Sequence, residues 1–294
     1  MNHDVLYCFD IADDSESFDL APELIAGLEL DFSSFENREE GTFIHTVYSQ
    51  SPEAAEENLA LVRAQLPMWQ DFGAELETGG IYSLNKADWA EAWKKFFKPL
   101  EISDTLIVRP SWETAAVKSG QAVLTIDPGM SFGTGQHATT FYCLKVIDRL
   151  AGEPGISSML DAGCGSGILA IAAVKLGWKE VFAFDIDPDA VRISQENSAE
   201  NQVDSIQYAT APLLEYSCGN KVFDCIAANI LSSALLAGKN KLLSMLKPGG
   251  TLILAGIQDA EFEIVKKSFC ASGCELISTA EENGWRGGMF HYNK

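Results

Sequence analysis

The sequence predicts two domains in series, a small split-βαβ sandwich followed by a larger doubly wound α/β domain, on three observations. The chain has 294 residues, 47% hydrophobic and 10% aromatic, which suffices for packed cores in about two domains and excludes a disordered chain. Its first hundred residues alternate short β-like segments with helical ones. From about residue 137 the pattern becomes a regular strand and helix alternation, opened by a glycine-rich turn.

Within the first part, residues 4–11 (DVLYCFDI) read as a strand and 15–29 as a helix; 32–37 and 42–49 read as a hairpin around Glu40-Gly41. Residues 52–66 read as a second helix and 73–84 as a fourth strand. Ser51 supplies the N-cap of that helix and Pro52 occupies its first turn, where a missing N–H costs nothing. Ala54, Ala55, Leu59, Val62 and Leu66 form its apolar stripe. The order β-α-β-β-α-β is that of a ferredoxin-like sandwich with one helical face and one open sheet face. Residues 86–98 (KADWAEAWKKFFK) are helical in pattern and end at Pro99, and 104–112 (DTLIVRPSW) are extended in pattern. Trp89, Trp93, Phe96 and Phe97 fall at helical spacing and read as packing residues. The connection is therefore placed at 85–112, between a domain at 1–84 and one at 113–294.

The second domain reads as strands at 157–161, 181–185, 205–209, 222–228 and 250–256, with helices at 138–150, 167–176, 188–201, 232–246 and 259–270. Asp187 caps the third of these helices and Pro188 starts it. Two further strands, 274–281 and 286–292, flank Gly284 and predict a closing antiparallel hairpin on an otherwise parallel sheet.

The charge excludes other classes. With 21 Lys plus Arg against 42 Asp plus Glu the net charge is −21, a field that repels a phosphate backbone and attracts a basic protein. Acidity is concentrated early: residues 1–100 hold 20 acidic and six basic side chains. No apolar run approaches the ~18 residues of a membrane span, and Met1–Asp14 does not resemble a signal peptide, so a soluble, cytoplasmic protein is expected. Seven cysteines, none in a C-x-x-C pair, fit neither a disulfide framework nor a zinc site. No metal is expected.

The chemistry concentrates in Asp161-Ala162-Gly163-Cys164-Gly165-Ser166-Gly167, which ends one apolar strand and opens the helix at Ile168. Glycines there allow a tight turn and close backbone approach by a ligand. Asp185 ends the next strand, 22 residues beyond Gly163, where a carboxylate can accept both ribose hydroxyls. An NAD-linked oxidoreductase shares that logic. Its G-x-G-x-x-G fingerprint, however, requires Gly or Ala where this chain has Ile168, and the loop is instead D-x-G-x-G-x-G. Such a loop suits S-adenosylmethionine, which has no pyrophosphate and presents a methionine carboxylate and amine.

D-x-G-x-G-x-G with the acidic strand end resembles the class I S-adenosylmethionine-dependent methyltransferases. Together with DPGMSFGTGQHATT (127–140), DIDPDAV (185–191) and ANIL (228–231), it looks like the ribosomal protein L-eleven methyltransferase family over nearly the whole chain. The resemblance implies donor-binding roles for Thr140, Gly163, Gly165, Asp185 and Asn229, and a catalytic role for Asn229 in orienting the nucleophilic nitrogen. It implies S-adenosylmethionine as methyl donor and lysine side chains and the N-terminal amine of ribosomal protein L-eleven as acceptors. Asn229-Ile230-Leu231-Ser232 stands where methyltransferases of planar amides carry Pro-Pro-Tyr/Phe after the Asn. Lacking that aromatic platform, it favours an aliphatic amine. Ala138 departs from the proline of the family's H-P-T-T segment. Methylation of another basic protein, or a non-catalytic donor-binding ribosome-assembly factor, remains an alternative.

Overall fold

The computed structural model describes residues 5–13, 20–28, 30–37, 42–85, 97–127 and 138–294. The chain divides into two compact units, Met1–Phe96 and Phe97–Lys294.

The first unit runs β1 (Val5–Asp13), α1 (Leu20–Ala26), β2 (Phe32–Asn37), β3 (Thr42–Ser49), α2 (Pro52–Asp71), β4 (Leu76–Thr78) and β5 (Tyr82–Asn85). Its antiparallel sheet has the order β2-β3-β1-β4, with β5 also on β1. Alternate residues of the central strands, Phe9, Ile11 and Asp13 on β1 and His45, Val47 and Ser49 on β3, are buried, as the two-residue period of a strand requires. Leu59, Val62 and Trp69 of α2 join the same core.

Ser51 does cap α2, its side chain accepting from the Ala54 N–H at 3.2 Å, and Pro52 begins the helix. The helix nevertheless runs through Pro67 to Asp71 rather than stopping at 66. The extra turn buries Trp69 to 2% exposure, and burying a side chain of that size outweighs one missing backbone hydrogen bond. The single strand expected at 73–84 is two short ones. Between them Gly79 donates its N–H to the Asp10 carbonyl at 2.7 Å, and β4 pairs with Ile11–Asp13 while β5 pairs with Val5–Cys8.

His45 lies fully buried in this unit, Nδ1 2.7 Å from Ser34 Oγ and Nε2 3.5 Å from Asp13 Oδ2. Burial lowers its pKa below the ordinary 6.5, against the opposing pull of Asp13. The folded ring therefore holds its proton less tightly than the unfolded one, so stability is complete above about pH 6.5 and declines as pH falls below it. A chemical denaturation series from pH 7.5 to 5 should show this decline in the first unit, and His45→Asn should flatten it. An unchanged slope in the variant would assign the pH dependence elsewhere.

The second unit opens with a small sheet, β6 (Leu100–Glu101), β7 (Leu106–Arg109) and β8 (Ala122–Thr125), in the order β6-β7-β8. Part of the segment expected to be an extended connection is thus paired sheet, because Leu106, Ile107 and Val108 are buried and their backbone groups need partners. Residues 86–96 of the expected linker helix, with Trp89, Trp93 and Phe96, lie outside the described residues.

The remainder alternates α3 (Ala138–Ala151), β9 (Ser158–Ala162), α4 (Ile168–Lys175), β10 (Glu180–Asp185), α5 (Pro188–Glu200), β11 (Ile206–Thr210), β12 (Phe223–Asn229), α6 (Ser232–Ser244), β13 (Leu246–Gln258), α7 (Asp259–Cys270), β14 (Cys274–Glu282) and β15 (Trp285–Tyr292). The sheet order is β11-β10-β9-β12-β13-β15-β14, parallel except for β15, which is antiparallel to both neighbours. Every residue of β9 is buried, and two separate apolar clusters adjoin the sheet, as expected for a doubly wound sheet covered on both faces. The hairpin turns on Asn283 and Gly284, with φ of 52° and 73°, the left-handed pair a two-residue turn requires. Among the described residues no helix is long and apolar enough to cross a membrane.

Candidate functional site

Chain order along the parallel strands reverses between β9 and its neighbours β10 and β12, and a doubly wound sheet leaves a crevice beyond the carboxyl ends of strands at such a point. A cavity of about 450 Å³ opens here, lined by Gly163, Gly165, Asp185, Asn229, Gly256 and Trp285 among others. Its other walls are chiefly apolar: Phe184, Ile186, Leu213, Ile230 and Leu231. Two carboxyl-edge polar groups in an apolar crevice are the pattern of a small-molecule site.

The glycine loop takes its shape from β10. Gly163 and Cys164 both donate backbone N–H groups to the Phe184 carbonyl, at 2.9 and 3.0 Å. Gly163, Gly165 and Gly167 have φ of 81°, 53° and 79°, conformations that side chains with a Cβ rarely adopt. Space forbids a Cβ as well: one on Gly163 would stand 2.3 Å from Cγ2 of Ile230. Cys164 is inert here, since burial, with the charge of Asp161 adding to it, pushes its thiol far above the ordinary range against the opposing hydrogen bond with Ser194 Oγ at 3.4 Å.

Asp185 is held by the loop it faces. Oδ2 accepts the Gly165 N–H at 3.0 Å and Oδ1 the Asp187 N–H at 3.1 Å. Each oxygen keeps a further acceptor site. Asp187 has the separate, structural job expected of it, capping α5 by accepting from the Asp189 N–H at 2.9 Å.

Asn229 ends β12, and its Nδ2 donates to Thr140 Oγ1 at 3.3 Å. The structure thus brings Gly163, Gly165, Asp185 and Asn229 to one cavity and sets Thr140, fully buried, behind Asn229. On the neighbouring strand Gly256 has φ of 74°, and a Cβ there would lie 3.1 Å from Asn229 Oδ1. The loop residues Pro128, Gly129, Gly133 and Gly135, and His137, lie outside the described residues.

Three contributors were not singled out from sequence. Gly256 gives Asn229 room, and Trp285 walls the cavity from the hairpin. The third is Asp161, which does not line the cavity but stands next to Ala162, which does; its position in the glycine motif is evident from sequence and its environment is not. It is 1% exposed, Oδ2 accepts the Ala170 N–H at 3.2 Å, and Oδ1 has no hydrogen-bond partner. Burial, with the charge of Asp185 adding to it, pushes its carboxyl up to about 7 despite the Ala170 bond. Among the described residues no group of three or more His, Cys, Asp or Glu could hold a metal ion.

Comparison with known proteins agrees with this architecture. Residues 28–290 match the family model of ribosomal protein L11 methyltransferase (PrmA). A ribosomal protein L11 methyltransferase of Geobacter metallireducens is 38% identical over 267 residues, 89% of this chain and 86% of the relative. One from Trichlorobacter lovleyi is 41% identical over 216 residues, 72% of this chain and 69% of the relative. The crystal structure of a ribosomal protein L11 methylase from Lactobacillus delbrueckii subsp. bulgaricus superposes with a TM-score of 0.61 at 31% identity, covering 67% of this chain and 100% of that one. A family match spanning residues 28–290, together with relatives 38% and 41% identical over more than two thirds of both chains, makes this chain a member of the ribosomal protein L11 methyltransferase family of S-adenosylmethionine-dependent enzymes.

Proposed function

We propose that this protein transfers methyl groups from S-adenosylmethionine to amino groups of ribosomal protein L11, on lysine side chains and the N-terminal amine. The observation that carries the reading is the convergence of Gly163, Gly165, Asp185 and Asn229 on one apolar cavity in a chain of this family. The donor fits these residues. Asp185 has free acceptor sites for a ribose diol, Phe184, Ile186 and Leu213 offer apolar surface to a base, and the glycine turn leaves space that a Cβ would fill. The unpartnered Oδ1 of buried Asp161 suits the amine of a methionine moiety.

S-adenosylmethionine supplies an activated methyl group on a sulfonium, so the chain's own task is to position the amine and keep it unprotonated. A free lysine has a reference pKa near 10.4 and must lose its proton before attack. Apolar walls disfavour the ammonium form, and a neighbouring positive sulfonium lowers its pKa further. Asn229 then orients the nitrogen: with Nδ2 donating to Thr140, Oδ1 is left to accept an N–H from the acceptor amine. Thr140 thus acts on the acceptor nitrogen through that amide rather than on the donor by its own contact. Thr140→Val should therefore lower kcat by about tenfold, the cost of roughly one positioning hydrogen bond, with donor affinity nearly unchanged. Calorimetric donor binding beside single-turnover methylation checks this; an equal loss in both would show direct contact.

The first unit is read as a ferredoxin-like substrate-recognition domain over 1–84, and the methyltransferase domain, expected at 113–294 after a connection at 85–112, is taken to begin with the small sheet β6-β7-β8. Its support is the strand order β2-β3-β1-β4 and a composition of 18 acidic against two basic side chains in residues 1–84, suited to docking a basic ribosomal protein. The net charge of −21 disfavours direct nucleic-acid binding. A cytoplasmic location belongs to the same reading, resting on the substrate class.

The test is mass spectrometry of purified L11 after incubation with enzyme and S-adenosylmethionine, with Asp185→Ala as control. Additions of one methyl mass at a time, absent with the variant, support the reading. Donor binding without any addition would favour the non-catalytic assembly factor, and addition to other basic proteins alone would change the substrate.

A further inference from the structure

Beside the donor cavity lies a second, smaller groove of about 170 Å³ between α3 and the tip of the β14–β15 hairpin. Trp285 lines both, so the two recesses share an indole wall. The groove's floor is aromatic. Tyr142 is locked there, its hydroxyl donating to the Ser278 carbonyl at 3.1 Å, and position 287 must be glycine because a Cβ would come 2.5 Å from Tyr142 Cδ1. Phe141 adds a second ring.

The rim is acidic. Glu281 and Glu282 line the groove and are exposed, and among the described residues neither carboxylate has a hydrogen-bond or ion-pair partner. Arg286, which faces Glu281 across the hairpin, is taken up by Asp259 at 2.6 Å. The remaining cation, Lys145, lies with its Nζ 4.6 Å from the centroid of the Phe141 ring. Two carboxylates above aromatic rings form a receptor for a cationic side chain. The receptor is also rigid, since the Asn283-Gly284 turn is tight and Gly284 accepts the Asp259 N–H at 2.8 Å.

We propose that this groove seats a lysine- or arginine-bearing segment of the protein substrate that flanks the nitrogen being methylated, an inference that rests on the amine-methylating reading above. The shared Trp285 wall places such a segment beside the reaction cavity. The rim charges bind a neighbouring cationic side chain and leave the acceptor nitrogen itself in apolar surroundings, where a carboxylate would otherwise raise its pKa.

The experiment compares wild type, Glu281→Gln/Glu282→Gln and Glu281→Lys/Glu282→Lys, with Glu275→Lys, at the far end of β14, as a control whose charge change of two units equals that of the neutral pair. Methylation kinetics on L11, donor affinity by calorimetry, and Kd for fluorescently labelled L11 are measured for each. We expect the neutral pair to raise KM and Kd by about threefold and the reversed pair by about tenfold or more, with kcat and donor affinity within twofold and a weaker salt dependence. The control should behave as wild type. The proposal is overturned by unchanged KM and Kd in the reversed pair, by an equal effect of Glu275→Lys, or by a change in sedimentation, which would make a second copy of this chain the occupant. If wild type binds L11 through these residues yet adds no methyl group, the catalytic reading fails while the groove stands.

Discussion

Gly163→Ala should bind S-adenosylmethionine at least about 100-fold more weakly than the wild type. Two costs coincide at this position. A φ of 81° is left-handed backbone, which costs an alanine roughly 1–2 kcal/mol. The added methyl also meets Ile230 Cγ2 at 2.3 Å, so either the loop opens or Ile230 moves, and Ile230 adjoins Asn229. The loop and the Asn229 amide, proposed above to position the acceptor, are thus disturbed together, and each factor of ten in affinity needs only about 1.4 kcal/mol. Isothermal titration of the donor, with circular dichroism to establish that the variant is folded, measures the loss. Affinity within threefold of wild type would show that the donor does not lie against this glycine.

The second large effect is a pH dependence of donor binding centred on Asp161. Its carboxyl, pushed up to about 7 by burial, is largely protonated in the free protein at pH 6. A cationic amine beside the unpartnered Oδ1 would favour the ionised form, so binding should release a proton below pH 7 and strengthen with pH, by up to about tenfold per unit. Calorimetry in two buffers of different ionisation enthalpy reads that proton directly. Asp161→Asn should abolish the release and weaken binding by about 30-fold or more. The stability sign runs the other way. A carboxyl raised above its unfolded value of about 3.9 stabilises the free protein at low pH and loses that contribution as pH rises from about 4 through 7, so the Tm of the variant should vary less over this range. Proton-neutral binding with a flat affinity between pH 5.5 and 8 would remove Asp161 from the donor site.

Legibility in the sequence followed element length and burial. From β9 to β15 the observed strands fall where they were expected, within a few residues, because strands buried on both faces are short apolar runs between glycine-containing turns. The glycine loop, Asp185 and Asn229 were legible because each ends a strand at the same edge. The small sheet β6-β7-β8 was not, since strands of two to four residues carry too few positions to show a period. Pro67 concealed the last turn of α2, and the division of β4 from β5 depends on the approach of Gly79 to Asp10, a contact far apart in sequence. The same holds for Thr140 and Asn229: spacing identifies each, but only the fold sets one hydroxyl behind the other's amide. Asp161 was visible as a motif position, whereas its raised pKa follows from burial and the nearby charge of Asp185, which only the fold supplies.

Strand order also governs when this site comes into being during synthesis. β15 follows every other strand of its sheet along the chain, yet it is inserted between β13 and β14. Until it is made, β13, which carries Gly256 beneath Asn229, has an open edge toward the place β15 will occupy, and Trp285 is absent from the cavity wall. The pairs that close this edge join residues 27 to 40 positions apart, from Gln258 with Trp285 to Thr251 with His291, and such non-local pairs form after the local hairpin contacts. A nascent chain halted before residue 285 would therefore have the glycine loop and Asp185 but a cavity without its Trp285 wall, so on the reading proposed above the site is completed only when the closing hairpin has been made.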